Sequence, residues 1–202
     1  MENVINLLTS KIFHDIGNVS SLLNFLVEMN KDDPALLDFN ELAEVNSRML
    51  INLRVLQYLF LPRSNSPSAL SDITKYLEYK GKEVQFHFDS MFLIGERFVL
   101  MVHVLLLLNK LLIDPTKIDV SATDTCIEFK AVSRAPINGN RLKAFDHLVS
   151  TPLKDISLSD DAKSHVYYIK EILKDLVLGI DTIASEQEFV LSIGPLDKAP
   201  FA

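Results

Sequence analysis

Glycine is scarce in this chain, and its few glycines stand apart. Only six occur in 202 residues, at positions 17, 81, 95, 139, 179 and 194. No two of them are two residues apart, so Gly-x-Gly occurs nowhere. A glycine-rich loop, whose backbone amides could close on phosphate oxygens, is therefore excluded. The Gly-x-Ser-x-Gly elbow of a serine hydrolase is absent as well. There is one cysteine, Cys126, so no internal disulfide can form, and a reducing cytoplasm fits. Cys126 lies in an alternating run and reads as a small core residue. Positive charge is in deficit: 20 basic against 27 acidic side chains leave a net charge of −7. Non-specific nucleic-acid binding needs a cationic surface and is disfavoured. Long apolar runs are missing too. Phe98 to Leu108 is the longest, is interrupted by His103, and falls short of the about 20 residues that span a bilayer. No basic stretch followed by an unbroken apolar run opens the chain, so a cytoplasmic protein that does not enter the membrane is expected.

What is present is an ordinary globular composition, 48% apolar and 23% charged, with enough chain for a sizeable core. From Glu2 to Asn30, apolar residues recur at 5, 8, 12, 16, 19, 23 and 26. That three-and-four spacing is the seam of a helical bundle. Asp32-Asp33-Pro34 suits a tight connection, with Pro34 in the first turn of the next helix. Ala35 to Leu61 repeats the seam through Phe39, Leu42, Val45, Met49, Leu53, Leu56 and Phe60. Two such helices would each be about 40 Å long. A lone antiparallel pair leaves apolar surface uncovered, and a second copy would cover it as a dimeric four-helix bundle.

Pro62 to Ser68 holds two prolines and three serines and marks a boundary. The expected units are a helical hairpin over 1–64 and an α/β domain over 69–202. In the latter, Leu70 to Tyr79 has a short helical pattern, and Val84 to Phe88 alternates like a strand. Glu96 to Ile113 is apolar almost all round and should be a buried helix. Lys117 to Ala122 and Cys126 to Val132 form an expected hairpin around Thr123-Asp124-Thr125. Asn140 to Val149 and Asp160 to Val177 read as helices, and Leu178 to Ile183 with Glu188 to Ile193 as a closing hairpin. The fold class is α+β: a helical hairpin followed by a two-layer α/β sandwich.

The pair His14-Asp15 stands out within the first helix. On a wheel of about 100° per residue with Ile12 at zero, the seam lies within about 40°. His14 then falls at about 200°, with Ser10, Gly17 and Ser21 beside it at about 140–180°. The turns on either side of the imidazole thus carry only small side chains, and Leu7 and Phe25 flank them one turn further out. Such a clearing admits another protein's active site, and the outlying apolar residues offer it contact. The competing reading is a solvated face that happens to hold a histidine.

Histidine suits reversible phosphoryl transfer. Its ordinary pKa of about 6.5 leaves a neutral, nucleophilic ring near neutral pH. One nitrogen attacks while the other keeps a proton, and a carboxylate such as Asp15 can accept that proton's hydrogen bond. The competing role of Asp15 is that of a surface carboxylate near Lys11, one turn earlier. The remaining histidines, 87, 103, 147 and 165, read as structural, and no cluster has metal-ligand spacing.

The run Phe13-His14-Asp15-Ile16-Gly17-Asn18-Val19, in the first helix of a hairpin that precedes an α/β domain, resembles the phosphoacceptor helix of histidine kinases. The closer similarity is to bacterial histidine phosphotransferases of the ChpT type, dimeric relatives without kinase activity. The run His165-Val166-Tyr167-Tyr168-Ile169-Lys170 resembles that family's C-terminal end. Two features depart from kinases. Val19 stands where the commonest class has proline. The asparagine helix, Asp-x-Gly-x-Gly turn and glycine-rich lid of an ATP site are also not found, Asn109 being the nearest stand-in for the metal-holding asparagine. The resemblance thus implies a degenerate ATPase-like domain with no ATP and no cofactor of its own.

It also implies a phosphorelay. A phosphoryl group would come from the receiver domain of a hybrid histidine kinase, pass to His14, and go on to downstream response regulators. Mg²⁺ would sit on the receiver. His14 and Asp15 are the expected chemical residues; Leu7, Ser10, Lys11, Gly17, Asn18, Ser21 and Phe25 are the expected docking surface. The alternatives are a divergent ATP-dependent histidine kinase and a non-enzymatic dimeric adaptor.

Overall fold

The computed structural model describes residues 2–29, 31, 38–60, 67–88, 95–112, 115–134, 136–137 and 161–195. Two helices come first, α1 (Glu2–Met29) and α2 (Phe39–Phe60). They pack against each other as the seam predicts. On α1 the seam residues Ile16, Val19, Leu23 and Leu26 are half-buried. The second helix starts later than Ala35. Asp38 caps it, its Oδ1 accepting from the amides of Asn40 at 2.8 Å and Glu41 at 3.4 Å. Pro34 lies outside the described residues.

The buried side of α2 rotates along its length. Leu42, Val45 and Met49 continue the seam, but Ile51, Val55 and Leu59 are buried in the core of the α/β part. With Val45 at zero, those three lie at about 240–320°, a second stripe. Phe39 lies at about 120°, outside both stripes. It is 72% exposed rather than in the seam.

Next come α3 (Pro67–Tyr79), β1 (Glu83–His87), α4 (Glu96–Leu111), β2 (Pro115–Ala122) and β3 (Ile127–Ser133). The chain ends with α5 (Asp161–Leu176), β4 (Leu178–Ala184) and β5 (Glu188–Pro195). Pro67 opens α3 three residues before the expected start, where its missing N–H leaves no bond unmade. The expected helix over Asn140 to Val149 lies outside the described residues, as does most of the Pro62 to Ser68 linker.

The five strands form one sheet in the order β1-β2-β3-β5-β4. Both expected hairpins are present and antiparallel, but β1 and β2 run parallel. Parallel neighbours need a crossover, and α4 is that crossover. One sheet face, with Ile118, Val120, Ile127, Phe129, Ala131, Leu191 and Ile193, is fully buried in the same core as α4. Alternate residues such as Glu128 and Lys130 face water. Residues 98–108 of α4 are buried on every side, His103 included, as a texture apolar almost all round predicts.

Arg97 fixes the start of α4 to the β2–β3 turn. Its guanidinium donates to the carbonyls of Asp124 at 2.7 Å and Thr123 at 3.0 Å. Cys126 sits at that turn and is half-buried, not core. Its amide donates to Thr123 Oγ1 at 3.1 Å, so turn hydrogen bonding rather than packing places it.

A buried carboxylate bolts α2 to α3. Asp72 accepts from Arg54 at 3.2 Å and from the Tyr58 hydroxyl at 2.8 Å. Asp72→Ala leaves Tyr58 without that acceptor and removes the pairing with Arg54. It is expected to lower stability by about 1–3 kcal/mol, read as a shift in urea midpoint. An unshifted midpoint would show that the bolt carries no weight.

Candidate functional site

The described part of the site is the exposed face of α1 between Phe13 and Phe25. His14 is exposed, as its position opposite the seam predicts. One turn further on, Asn18 places its Nδ2 3.3 Å from Nδ1 of the ring. Residues four apart on a helix are surface neighbours, so the local fold alone brings these side chains together. Ser21 is exposed beyond them, and Phe25 is 57% exposed. The backbones of Leu7, Ser10, Lys11 and Asp15 belong to α1, but their side chains lie outside the described residues. The expected contact between Asp15 and the ring therefore has no geometry here.

Gly17 leaves open space beside the histidine. A Cβ built on it meets nothing within 4 Å. Gly17→Ala is thus expected to stabilise α1 by about 0.5–1 kcal/mol, measurable as a rise in the thermal midpoint.

The sequence reading passed over two residues of this surface. Phe13 is 68% exposed and Leu22 is 42% exposed. Both lie well off the seam of the wheel, at about 100° and 280°, and that offset was the available signal. With Phe25 they add apolar area to the exposed side of α1.

The other histidines lie elsewhere. His103 of α4 and His165 of α5 are buried, with their Nδ1 atoms 3.0 Å apart. His103 also stacks on Tyr168, ring centroids 4.9 Å apart. This is a packed core pair, as a structural reading of both residues requires. Burial pushes the His103 pKa down to about 4, against a smaller opposing effect of the Leu59 backbone. His147 lies outside the described residues.

His87 is on the open sheet face, its Nε2 2.7 Å from Asp119 Oδ1. Lys117 reaches the same oxygen at 3.1 Å. Partial burial of Asp119 opposes its charge. The hydrogen bonds from His87 and Lys117 outweigh that and hold the carboxyl below its ordinary range. Among the described residues, no group of three His, Cys, Asp or Glu could hold a metal ion. Asn109, the nearest sequence stand-in for a metal-holding asparagine, is half-buried near the end of α4. No described helix is long and apolar enough to cross a membrane.

Two packed helices followed by an α/β sandwich match a known structure over nearly the whole chain. The fold is shared with a bacterial phosphotransferase. That protein is 18% identical, the match covers 96% of each chain, and the TM-score is 0.70. Two histidine kinase structures also align. One is AdeS of Acinetobacter baumannii, at 10% identity over 92% of this chain and 98% of the other, with a TM-score of 0.41. The other is the histidine kinase domain of the blue-light-activated kinase EL346 of Erythrobacter litoralis, at 9% identity over 97% and 95%, with a TM-score of 0.42. Scores of that size are too low to establish a shared fold. No protein-family model matches the sequence. No curated protein matches it either.

Proposed function

We propose that this chain is a histidine phosphotransferase of bacterial two-component signalling, relaying a phosphoryl group between receiver-domain aspartates through His14. The observation that carries the reading is His14 itself. It is exposed on α1, held by Asn18, and set in a fold shared with a bacterial phosphotransferase. Phe13, Leu22 and Phe25 supply the apolar contact for a docking receiver.

The donor is the phosphorylated aspartate of a hybrid kinase's receiver. A lone pair on the His14 ring forms the N–P bond while the P–O bond to the aspartate breaks. The bonding electrons stay with the departing carboxylate. Transfer to a downstream response regulator reverses the sequence. Mg²⁺ on the receiver screens the charge of the phosphoryl oxygens. This chain contributes the nucleophile and its positioning, with no nucleotide of its own. Two copies pair through the hairpin of 1–64, forming a four-helix bundle in the cytoplasm. The domain over 69–202 steadies the docked receiver from the side.

The test is phosphoryl uptake from a labelled, phosphorylated receiver. The expected product carries an acid-labile, base-stable phosphate that mass spectrometry maps to His14. No uptake from any receiver of the same bacterium would sink the reading. Label acquired directly from ATP would replace it with the kinase alternative.

A further inference from the structure

The sheet has two edges, and they are built differently. β1 carries Glu83, Gln85 and His87 on its water-facing side, and His87 is tied to Asp119. Polar and charged side chains of this kind discourage a further strand. At the other edge β4 pairs with β5 alone. Its seven residues, Leu178 to Ala184, hold one charge, Asp181, and no lysine, arginine or proline. Its register with β5 runs without a shift, so no bulge turns it away. Ile183 on this strand is 72% exposed.

The amide of Ser185 donates to the Glu188 carbonyl at 2.8 Å and so closes the β4–β5 hairpin on a hydrogen-bonded pair. Such pairs alternate along an antiparallel ladder, so Ile183, Asp181 and Gly179 aim their backbone groups at β5. Leu178 and Ile180 aim theirs out of the sheet. Val177, just before the strand, has φ 56° and is 65% exposed. That left-handed position ends α5 and suits glycine, and a β-branched side chain is strained there. Among the described residues, Val177 thus carries backbone strain and gains little burial for it.

We propose that β4 is a docking edge for β4 of a second copy of this chain, the two strands pairing antiparallel about a two-fold axis at Ile180. An antiparallel partner must set outward-aimed residues against outward-aimed residues. The axis then passes through a residue, not between two. An axis at Asp181 sets two carboxylates directly opposite each other, which is unfavourable. An axis at Ile180 sets Asp181 against Gly179 of the partner subunit. It also brings Val177 level with Ile183 of the partner subunit, and the reverse. These are non-hydrogen-bonded pairs, in which side chains approach most closely. No other axis matches the two exposed aliphatic residues to each other. Contact made only in the assembly then offsets the strain at Val177. This edge and the hairpin bundle are separate two-fold interfaces, so using both joins dimers into tetramers or chains.

Disulfide trapping in the full chain tests the register, with Cys126→Ser as background. Facing residues of this kind lie about 4.5 Å apart at Cα, within disulfide reach. Positions 177 and 183 of one chain are about 20 Å apart along an extended strand and cannot bridge. Val177→Cys combined with Ile183→Cys should therefore give a covalent dimer linked 177 to 183, mapped by mass spectrometry of its peptides. Neither single variant should link to itself. No 177-to-183 link, or links formed as readily by the single variants, overturns the proposal.

Sedimentation measures the strength of the interface. Ile183→Lys should weaken self-association at least about tenfold, since a lysine then meets Val177 twice in each interface. Val177→Gly should also weaken it, yet raise the thermal midpoint of the dilute protein by relieving the left-handed strain. A valine with a purely internal role would alter melting alone. Self-association unchanged by both variants overturns the proposal. The Leu178 and Ile180 amides should exchange fast in dilute protein and slowly in concentrated protein. Protection that persists on dilution means that the chain covers its own edge, and it overturns the proposal as well. None of these readouts involves phosphate, so the phosphotransferase reading stands or falls separately.

Discussion

His14→Ala is expected to abolish phosphoryl uptake, slowing it by at least about 10³-fold, while leaving the fold as it is. Alanine has no lone pair for phosphorus, and no other described histidine can take over. His103 and His165 are buried, and His87 stands on the sheet face bound to Asp119. The folded state should tolerate the change. An exposed helical position given alanine moves stability by no more than about 0.5 kcal/mol. The two readouts are thus independent: uptake measured with labelled receiver, folding by thermal melt. A variant that melts as the wild type and still takes up label at the wild-type rate would remove His14 from the chemistry. Loss of uptake accompanied by a large fall in melting temperature would point to a structural histidine instead.

The second large effect is acid sensitivity arising from the buried pair His103–His165. The His103 pKa stands at about 4 in the fold against 6.5 in an unstructured chain. Below pH 6.5 the unfolded chain takes up a proton that the folded one refuses. Stability from this group is therefore complete above that pH and declines as pH falls. The loss approaches about 3 kcal/mol once the pH is below the folded value. Asp119 acts in the same direction at lower pH. Its carboxyl is held below the ordinary range, and its contribution is lost as pH falls through its folded value. Urea midpoints followed from neutral pH downward should show the histidine loss first.

Replacing both rings, as His103→Leu with His165→Leu, removes the two polar partners together. The double variant should flatten that part of the curve. Parallel curves for wild type and double variant would show that the pair does not govern acid stability. A single replacement is the harsher change, because it leaves the remaining ring buried without its 3.0 Å partner.

Much of this protein was determined by local pattern. The three-and-four spacing of apolar residues defined α1 and its seam, because helix geometry alone sorts side chains into faces. The same rule placed His14 opposite that seam, where it is exposed. Strict alternation defined β3 and β5, and an apolar run without a polar face marked α4 as buried. The missing Gly-x-Gly needs no fold at all, since it is a property of the chain.

Tertiary structure decided what depends on several elements at once. That Ile51, Val55 and Leu59 bury in the α/β core could not follow from one wheel, since α2 carries two apolar stripes with different partners. The parallel pairing of β1 with β2 depends on where α4 returns the chain. Asp72, an acid in a short polar helix, is buried only because Arg54 and Tyr58 of α2 arrive from eighteen and fourteen residues away. His103 and His165 meet across 62 residues. At the site itself the division is finer. The spacing of His14 and Asn18 was legible as neighbours on one helix face. Which ring nitrogen the amide approaches was not, because rotamers, not spacing, set that contact.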